Sequence, residues 1–181
     1  MPRLRPITYE QAPEGTRELL DGVMEEMGMV PNIFWTLANS PTALEGFVGL
    51  HQAIEHGVLS AKLREEIALT VSEMNQSHYC VCGHAAIGRT VGCSEEEIMD
   101  ARRGTSPDSK VAAALHFARE IVNNRGCVSD DELRRLRGAG YEDREITEIV
   151  ACVALYVFGD YFTHIAQTEV DFPEVPELVG T

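Results

Sequence analysis

Residues 60–90 read SAKLREEIALTVSEMNQSHYCVCGHAAIGRT, and the spacing of their apolar side chains sets the fold class. Leu63, Ile67, Val71 and Met74 recur every three or four residues, the interval that puts side chains on one face of an α-helix. Ser60 precedes this stripe, where a hydroxyl can accept from the exposed N–H groups of a first helical turn. Ser77 stands in the same way before a second helix that runs to about Thr90 and ends near Gly92. The pattern predicts a helical hairpin.

The same reading extends outward in both directions. Ser40 and Pro41 suit the cap and first residue of a helix that continues to about His56. Before it, Val30, Pro31 and Asn32 mark a bend, and Ile33, Phe34, Trp35 and Leu37 form an apolar plug. Leu19, Leu20, Val23, Met24 and Met27 define a helix from about Glu14 to Met27, with Gly28 fitting its end. Residues 1–13 contain three prolines and no periodic apolar face, so they read as an extended arm.

Toward the C-terminus, Ser94 with Glu97 and Ser129 with Glu132 match capping boxes, which open helices over about 94–103 and 129–138. Ser109 to Asn123 forms another helix between them. A long helix starts at Asp143 or Arg144, reaches the 160s and is nearly all apolar over 149–158, which places it in the centre of the protein or at a subunit contact. Residues 168–181 read as an irregular tail. No strand alternation is evident, so the expectation is an all-α helical bundle, one domain over 1–181, with the hairpin packed beside the long last helix.

The net charge of -14 opposes binding to phosphate backbones and anionic lipid. Arg102, Arg103, Arg134, Arg135 and Arg137 sit near acids on helical patterns and read as solvated faces, so no nucleic-acid partner is expected. The opening MPRLRPITYEQAP lacks the apolar stretch of a secretory signal, and no uninterrupted apolar run approaches the ~18 residues of a membrane span. A cytoplasmic protein without membrane contact is expected. Five cysteines, at 80, 82, 93, 127 and 152, make an odd number, which suits free thiols better than a disulfide framework.

Chemistry concentrates in Ser77–His84, SHYCVCGH. If Ser77 caps the helix, its hydroxyl accepts from the backbone N–H of Cys80 and places Cys80 in the first turn, where the positive end of the helix dipole favours a thiolate. His84 lies four residues on, on the same face, within reach of a proton exchange with the sulfur directly or through water. Cys82 is rotated about 200° from Cys80 on an ideal helix, so the two cannot form a disulfide without unwinding. On a strand, His78, Cys80, Cys82 and His84 would all face one way and offer four zinc ligands. The flanking periodicity is helical, and no metal is assigned. His51, His56, His116 and His164 read as surface or satisfied core residues, with His164 the one of interest near the end of the apolar helix. Glu65 and Glu66 both fall partly off the apolar stripe, so by periodicity either is a solvated acid.

The run LREEIALTVSEMNQSHYCVCGHAAIGR resembles the signature of the alkylhydroperoxidase AhpD and carboxymuconolactone decarboxylase superfamily. Peroxidase-related members of that superfamily read LRE, eleven residues, then CxxCxxxH. VPNIFWTLANSP and the ending GYEDREITEIVACVALYVFGDYFTHIAQTEVDFP also resemble that branch, so the likeness covers about residues 20–175. It implies an AhpD-like helical fold without cofactor. It places the relay glutamate on Glu65, the peroxide-reacting cysteine on Cys80 and the relay histidine on His84. Tyr79 stands where some members have a second relay histidine. The disulfide-partner cysteine falls on Ser77, so the usual disulfide cannot close.

Three functions follow as alternatives. The first is a peroxidase-type oxidoreductase in which Cys80 is oxidised by a small hydroperoxide and reduced by an external thiol, or by Cys82 after local unwinding. The second is a cofactor-free acid–base enzyme, such as a lactone decarboxylase or isomerase, using Glu65 and His84. The third is a non-catalytic or metal-binding helical subunit. The apolar run 149–158 and the plug Ile33–Leu37 exceed what one small bundle hides, and the family likeness implies a trimer or hexamer.

Overall fold

The computed structural model describes residues 2–178, and the expectations for residues 1 and 179–181 lie outside them. Nine α-helices follow one another among the described residues: α1 (Glu14–Met27), α2 (Asn32–Leu37), α3 (Pro41–Glu55), α4 (Ala61–Met74), α5 (His78–Thr90), α6 (Glu95–Arg102), α7 (Ser109–Asn123), α8 (Asp130–Gly138) and α9 (Asp143–Ala166). No strand occurs among the described residues, so the protein is all-α as expected.

Local chemistry accounts for most helix boundaries. Ser40, Ser60, Ser94 and Ser129 each accept from a backbone N–H in the first turn of α3, α4, α6 and α8. Gly28 ends α1 at φ 72, a left-handed conformation that glycine adopts without steric penalty. Ser94 and Glu97 form the full reciprocal box, whereas Glu132 turns instead to His116 and Arg135.

The centre of the bundle is α4 rather than α9. It packs against α5, α6, α7 and α9, and its buried residues include Leu63, Ile67, Ala68, Leu69 and Val71. Each fully buried leucine or isoleucine contributes about 1.5–3 kcal/mol, so this helix anchors the rest. The last helix, α9, turns one face inward through Ile149, Cys152, Val153, Leu155 and Tyr156 while Val150, Phe158, Tyr161 and Ile165 stay exposed. By length and composition α9 is apolar enough to cross a membrane, which the count of uninterrupted apolar residues missed, yet half of that stretch is buried inside the bundle.

The apolar plug forms the short helix α2. Its first N–H, on Asn32, donates to the carboxylate of Asp171 at 2.7 Å. The tail is irregular but it returns to the bundle: Val175 is buried and the Pro176 carbonyl accepts from Arg102. Arg102 is itself buried and paired with Glu73 at 2.7 Å, so it does not belong to a solvated face. The other four arginines pair with exposed or half-buried acids, Arg103 with Asp100 and Arg134, Arg135 and Arg137 with Asp131, Glu132 and Asp143.

Glu66 lies in the core, and burial pushes its carboxyl up to about 7 against the opposing pull of Lys62. A carboxyl that holds its proton more tightly folded than unfolded stabilises the fold fully below its ordinary value of 4.5 and loses that contribution as pH rises through about 7. Glu66→Gln is therefore expected to raise stability at pH 8 by about 1–2 kcal/mol and to flatten the pH dependence between those limits. That size allows for water reaching the carboxylate through the adjoining cleft. Thermal melts from pH 4 to 8 check it, and an unchanged slope in the variant would count against a buried, proton-holding Glu66.

Candidate active site

A narrow cavity of ≈ 70 Å³ opens between α2, α3, α5, α9 and the tail. Its walls are apolar, with Phe34, Phe47, Ile87, Leu155 and Phe172 among them, and Cys80 and His84 share the α5 wall. Gly83 lies between those two residues, and a Cβ there would stand 3.1 Å from the Phe172 ring. The glycine thus lets the tail close over the helix. Phe172 also meets the Tyr79 ring edge to face at 5.8 Å.

Glu65 reaches this wall from α4, and its Oε2 lies 2.9 Å from Nδ1 of His84. Both side chains are mostly buried, at 12% and 17% exposure. Burial alone lowers the imidazole pKa, but the charge and hydrogen bond of Glu65 outweigh it and hold His84 above its ordinary 6.5. The Tyr156 ring stands edge to face with His84 at 5.0 Å and fixes its orientation. Glu65 is therefore a partnered site acid rather than a solvated one, because α4 is buried on nearly every side.

Cys80 differs from the expectation of a thiolate. Its Sγ lies 3.7 Å from Oγ1 of Thr163 on α9, and Oγ of Ser77 lies 3.1 Å from the same atom. The Thr163 hydroxyl donates to the Asp160 carbonyl at 3.0 Å, so it is left to accept from Ser77, while the Asp160 carboxylate is also a hydrogen-bond acceptor for the Cys80 thiol. Burial, reinforced by the charge of the nearby Asp160, pushes the Cys80 thiol well above its ordinary value. The resting group is a protonated thiol. The helix dipole is worth at most about 2 kcal/mol, too little to reverse this.

Ser77 occupies the N-cap position but makes no side-chain cap bond, because its buried hydroxyl is turned to Thr163. Tyr79 is committed at both ends of its hydroxyl, accepting from the Ile33 N–H at 3.1 Å and donating to Asp171 at 2.9 Å. It braces α2, α5 and the tail, and it makes no hydrogen bond to Cys80 or His84. Cys82 does not line the cavity. Its sulfur lies 3.7 Å from Nε2 of His78 and 3.9 Å from Glu174. The helical geometry therefore sorts the alternating set onto two faces, Cys80 and His84 on the cavity wall and Cys82 with His78 away from it.

Asp160 is the group that sequence reasoning missed. It is fully buried and accepts from Ser72 and Asn75, each at 2.8 Å. Burial raises its pKa even against those bonds. The available signal was the lone acid over 149–166, within and just beyond the apolar run of α9, a position that a carboxylate occupies only with partners. His51 also lines the cavity, and burial lowers its pKa. His164 is exposed and hydrogen-bonds the Asn75 carbonyl, outside the cavity, while His116 pairs with Glu132 and His56 is exposed. All five cysteines are free. Cys93 and Cys152 are packed thiols that burial pushes up to about 11 and about 12, whereas Cys127 is exposed.

The sequence profile of the carboxymuconolactone decarboxylase family matches residues 41–124, from the start of α3 through α7. No curated protein matches the chain. Among solved structures, an uncharacterised peroxidase-related protein with an alkylhydroperoxidase AhpD core from Ralstonia eutropha JMP134 is 25% identical at a TM-score of 0.85, over 94% of this chain and 92% of that one. A peroxidase-related protein from Silicibacter sp. TM1040 is 23% identical at a TM-score of 0.81, over 92% and 89%. The debrominase Bmp8 is 21% identical at a TM-score of 0.79, over 93% and 92%, and a cysteine-to-alanine variant of it has been solved with 2,3,4-tribromopyrrole. These last two likenesses speak for the fold alone. The family profile thus falls on the site-bearing helices, so the chain is similar to the carboxymuconolactone decarboxylase family over residues 41–124 and shares its fold with an AhpD-core protein along nearly its whole length.

Proposed function

We propose that this protein is a thiol-dependent oxidoreductase that reduces small apolar hydroperoxides at Cys80. The observation that carries the reading is the shared cavity wall of Cys80 and His84, with Glu65 set 2.9 Å behind the imidazole. Because Glu65 engages Nδ1, Nε2 is the nitrogen left to take the Cys80 proton, directly or through one water, once substrate is bound. The thiolate attacks the terminal oxygen of ROOH and the O–O bond breaks. Cys80 becomes a sulfenic acid, and the leaving alkoxide receives the proton from His84 as ROH. One external thiol then condenses with the sulfenic acid and releases water, and a second displaces the resulting mixed disulfide to return Cys80. The resolving thiol comes from outside because position 77 carries a hydroxyl and Cys82 lies on another face. The test is consumption of a small alkyl hydroperoxide with a dithiol reductant, compared between wild type and Cys80→Ser.

A second reading has its own support. The Glu65–His84 pair is assembled without the Cys80 sulfur, which is turned to Thr163 and kept as a thiol. A cofactor-free acid–base reaction on a carbonyl compound needs only that pair. Under it, Cys80→Ser retains activity and His84→Ala loses it.

We further propose a closed homo-oligomer, a trimer or hexamer, in a reducing cytoplasm. Its support is the stripe of Val150, Phe158, Tyr161 and Ile165 along α9, of which Ile165 is 62% exposed. Free thiols suit a reducing compartment. Size-exclusion chromatography with light scattering is expected to give a multiple of 20.0 kDa, and a monomer would reject the assembly.

A further inference from the structure

We propose that His78, Cys82 and Glu174 form a zinc site on α5 and the C-terminal segment, separate from the Cys80–His84 cavity. The three ligand atoms are already gathered. Nε2 of His78 lies 2.6 Å from Oε2 of Glu174 and 3.7 Å from Sγ of Cys82, and Sγ lies 3.9 Å from Oε2. A triangle with those sides fits a circle of radius about 2.0 Å, so an ion near its centre reaches all three at the ~2.0–2.3 Å of zinc–nitrogen, zinc–oxygen and zinc–sulfur bonds.

The donor set fits zinc by type as well as by distance. Thiolate and imidazole together favour zinc over magnesium or calcium, and three protein ligands leave a fourth tetrahedral position for water. His78 and Cys82 are four residues apart on one helix, so two ligands are preset on one face. Cys82 is buried and anchored, whereas His78 and Glu174 side chains are 50% and 71% exposed and can swing apart by about 0.7 Å, the opening that tetrahedral coordination of an ion needs. An exposed histidine–carboxylate pair by itself is worth about 0–1 kcal/mol and gives no reason for a buried thiol to point at it.

Binding exchanges the Cys82 thiol proton for the metal, so Cys82–SH and the divalent ion give the metal thiolate and one proton, and affinity rises with pH. Glu174 lies two residues beyond Phe172, which lines the cavity. An occupied site therefore also fastens the segment that closes over Cys80 and His84.

The test is a titration of the full, reduced, chelator-stripped protein with Co²⁺ alone, followed by displacement with Zn²⁺. One equivalent per chain is expected, with a sulfur-to-cobalt charge-transfer band in the near ultraviolet that Zn²⁺ removes. Cys82→Ser is expected to abolish the band and weaken binding at least a hundredfold. His78→Ala and Glu174→Gln, at exposed positions where the fold is not at risk, are expected to weaken it at least tenfold. Zn²⁺ is also expected to slow hydrogen exchange over residues 170–176. The site is rejected if stoichiometric Co²⁺ gives no charge-transfer band. It is equally rejected if the band survives Cys82→Ser, which would move the ion to another thiol such as the exposed Cys127.

Discussion

Cys80→Ser is expected to lower hydroperoxide turnover by roughly a thousandfold or more, because removing a covalent nucleophile leaves only binding and local electrostatics. The substitution changes one atom, and a serine hydroxyl can keep the contact to Thr163, so the fold is retained and lost activity reports lost chemistry. A thiol gives a sulfenic acid with one added oxygen, which serine cannot form under the same conditions. Two measurements check the result. One is the rate of hydroperoxide loss with excess dithiol. The other is peptide mapping of a sulfenic-acid trap after brief peroxide exposure without reductant. Label appearing first on Cys80 supports the reading. Equal peroxide loss in wild type and variant rejects it, and label spread over Cys93, Cys127 and Cys152 reduces it to nonspecific oxidation. The raised pKa of Cys80 adds a further signature. Free protein should react slowly with a neutral alkylating agent at pH 7 and faster as pH rises, since burial and the Asp160 charge oppose the thiolate.

His84→Ala is expected to cost about 10²–10⁴ in turnover, the range for loss of a positioned general base. Glu65→Gln should cost less but move the pH profile, and the sign is set by the two opposing influences on the imidazole. His84 accepts a proton only when neutral, so the rate falls as pH drops through its pKa, which Glu65 holds above 6.5. Removing the Glu65 charge leaves burial, the influence that lowers the pKa. The acid limb of kcat/KM in Glu65→Gln is therefore expected to move to lower pH while the maximum falls. A limb that stays in place would show that Glu65 does not govern the base. A merely structural role for Glu65 lowers the maximum without moving the limb. His84→Gln serves as the partner control, because it preserves more of the packing against Tyr156 than alanine does.

Particular residues show where sequence reading succeeded and where it stopped. Ser40, Ser60, Ser94 and Ser129 were recognisable as helix starts because the hydroxyl and the N–H it serves are three residues apart. Ser77 has the same local setting, yet its hydroxyl is taken by a threonine 86 residues away. The α5 periodicity correctly put Cys80 and His84 on one wall and turned Cys82 aside. It contained no sign that Glu174, 96 residues from His78, completes a second cluster. The plug Ile33–Leu37 is legible as apolar but not as helical, since the carboxylate that receives its first N–H is contributed by Asp171 in the tail, and contrary to expectation the single bundle buries Ile33, Phe34 and Leu37.

The all-α class, the α4–α5 hairpin, most helix ends and the common wall of Cys80 and His84 were determined by the sequence itself. They depend on interactions within one or two helical turns, and spacing encodes those directly. The protonation of the Cys80 thiol, the engagement of Glu65 by His84 and the central place of α4 were decided only by the tertiary structure. Burial and charge depend on what distant segments bring alongside: Thr163 meets Cys80 across 83 residues, and Asp160 arrives on the same turn of α9. A dipole effect of about 2 kcal/mol at most is local, whereas the desolvation that opposes it exists only once the chain has closed around the sulfur.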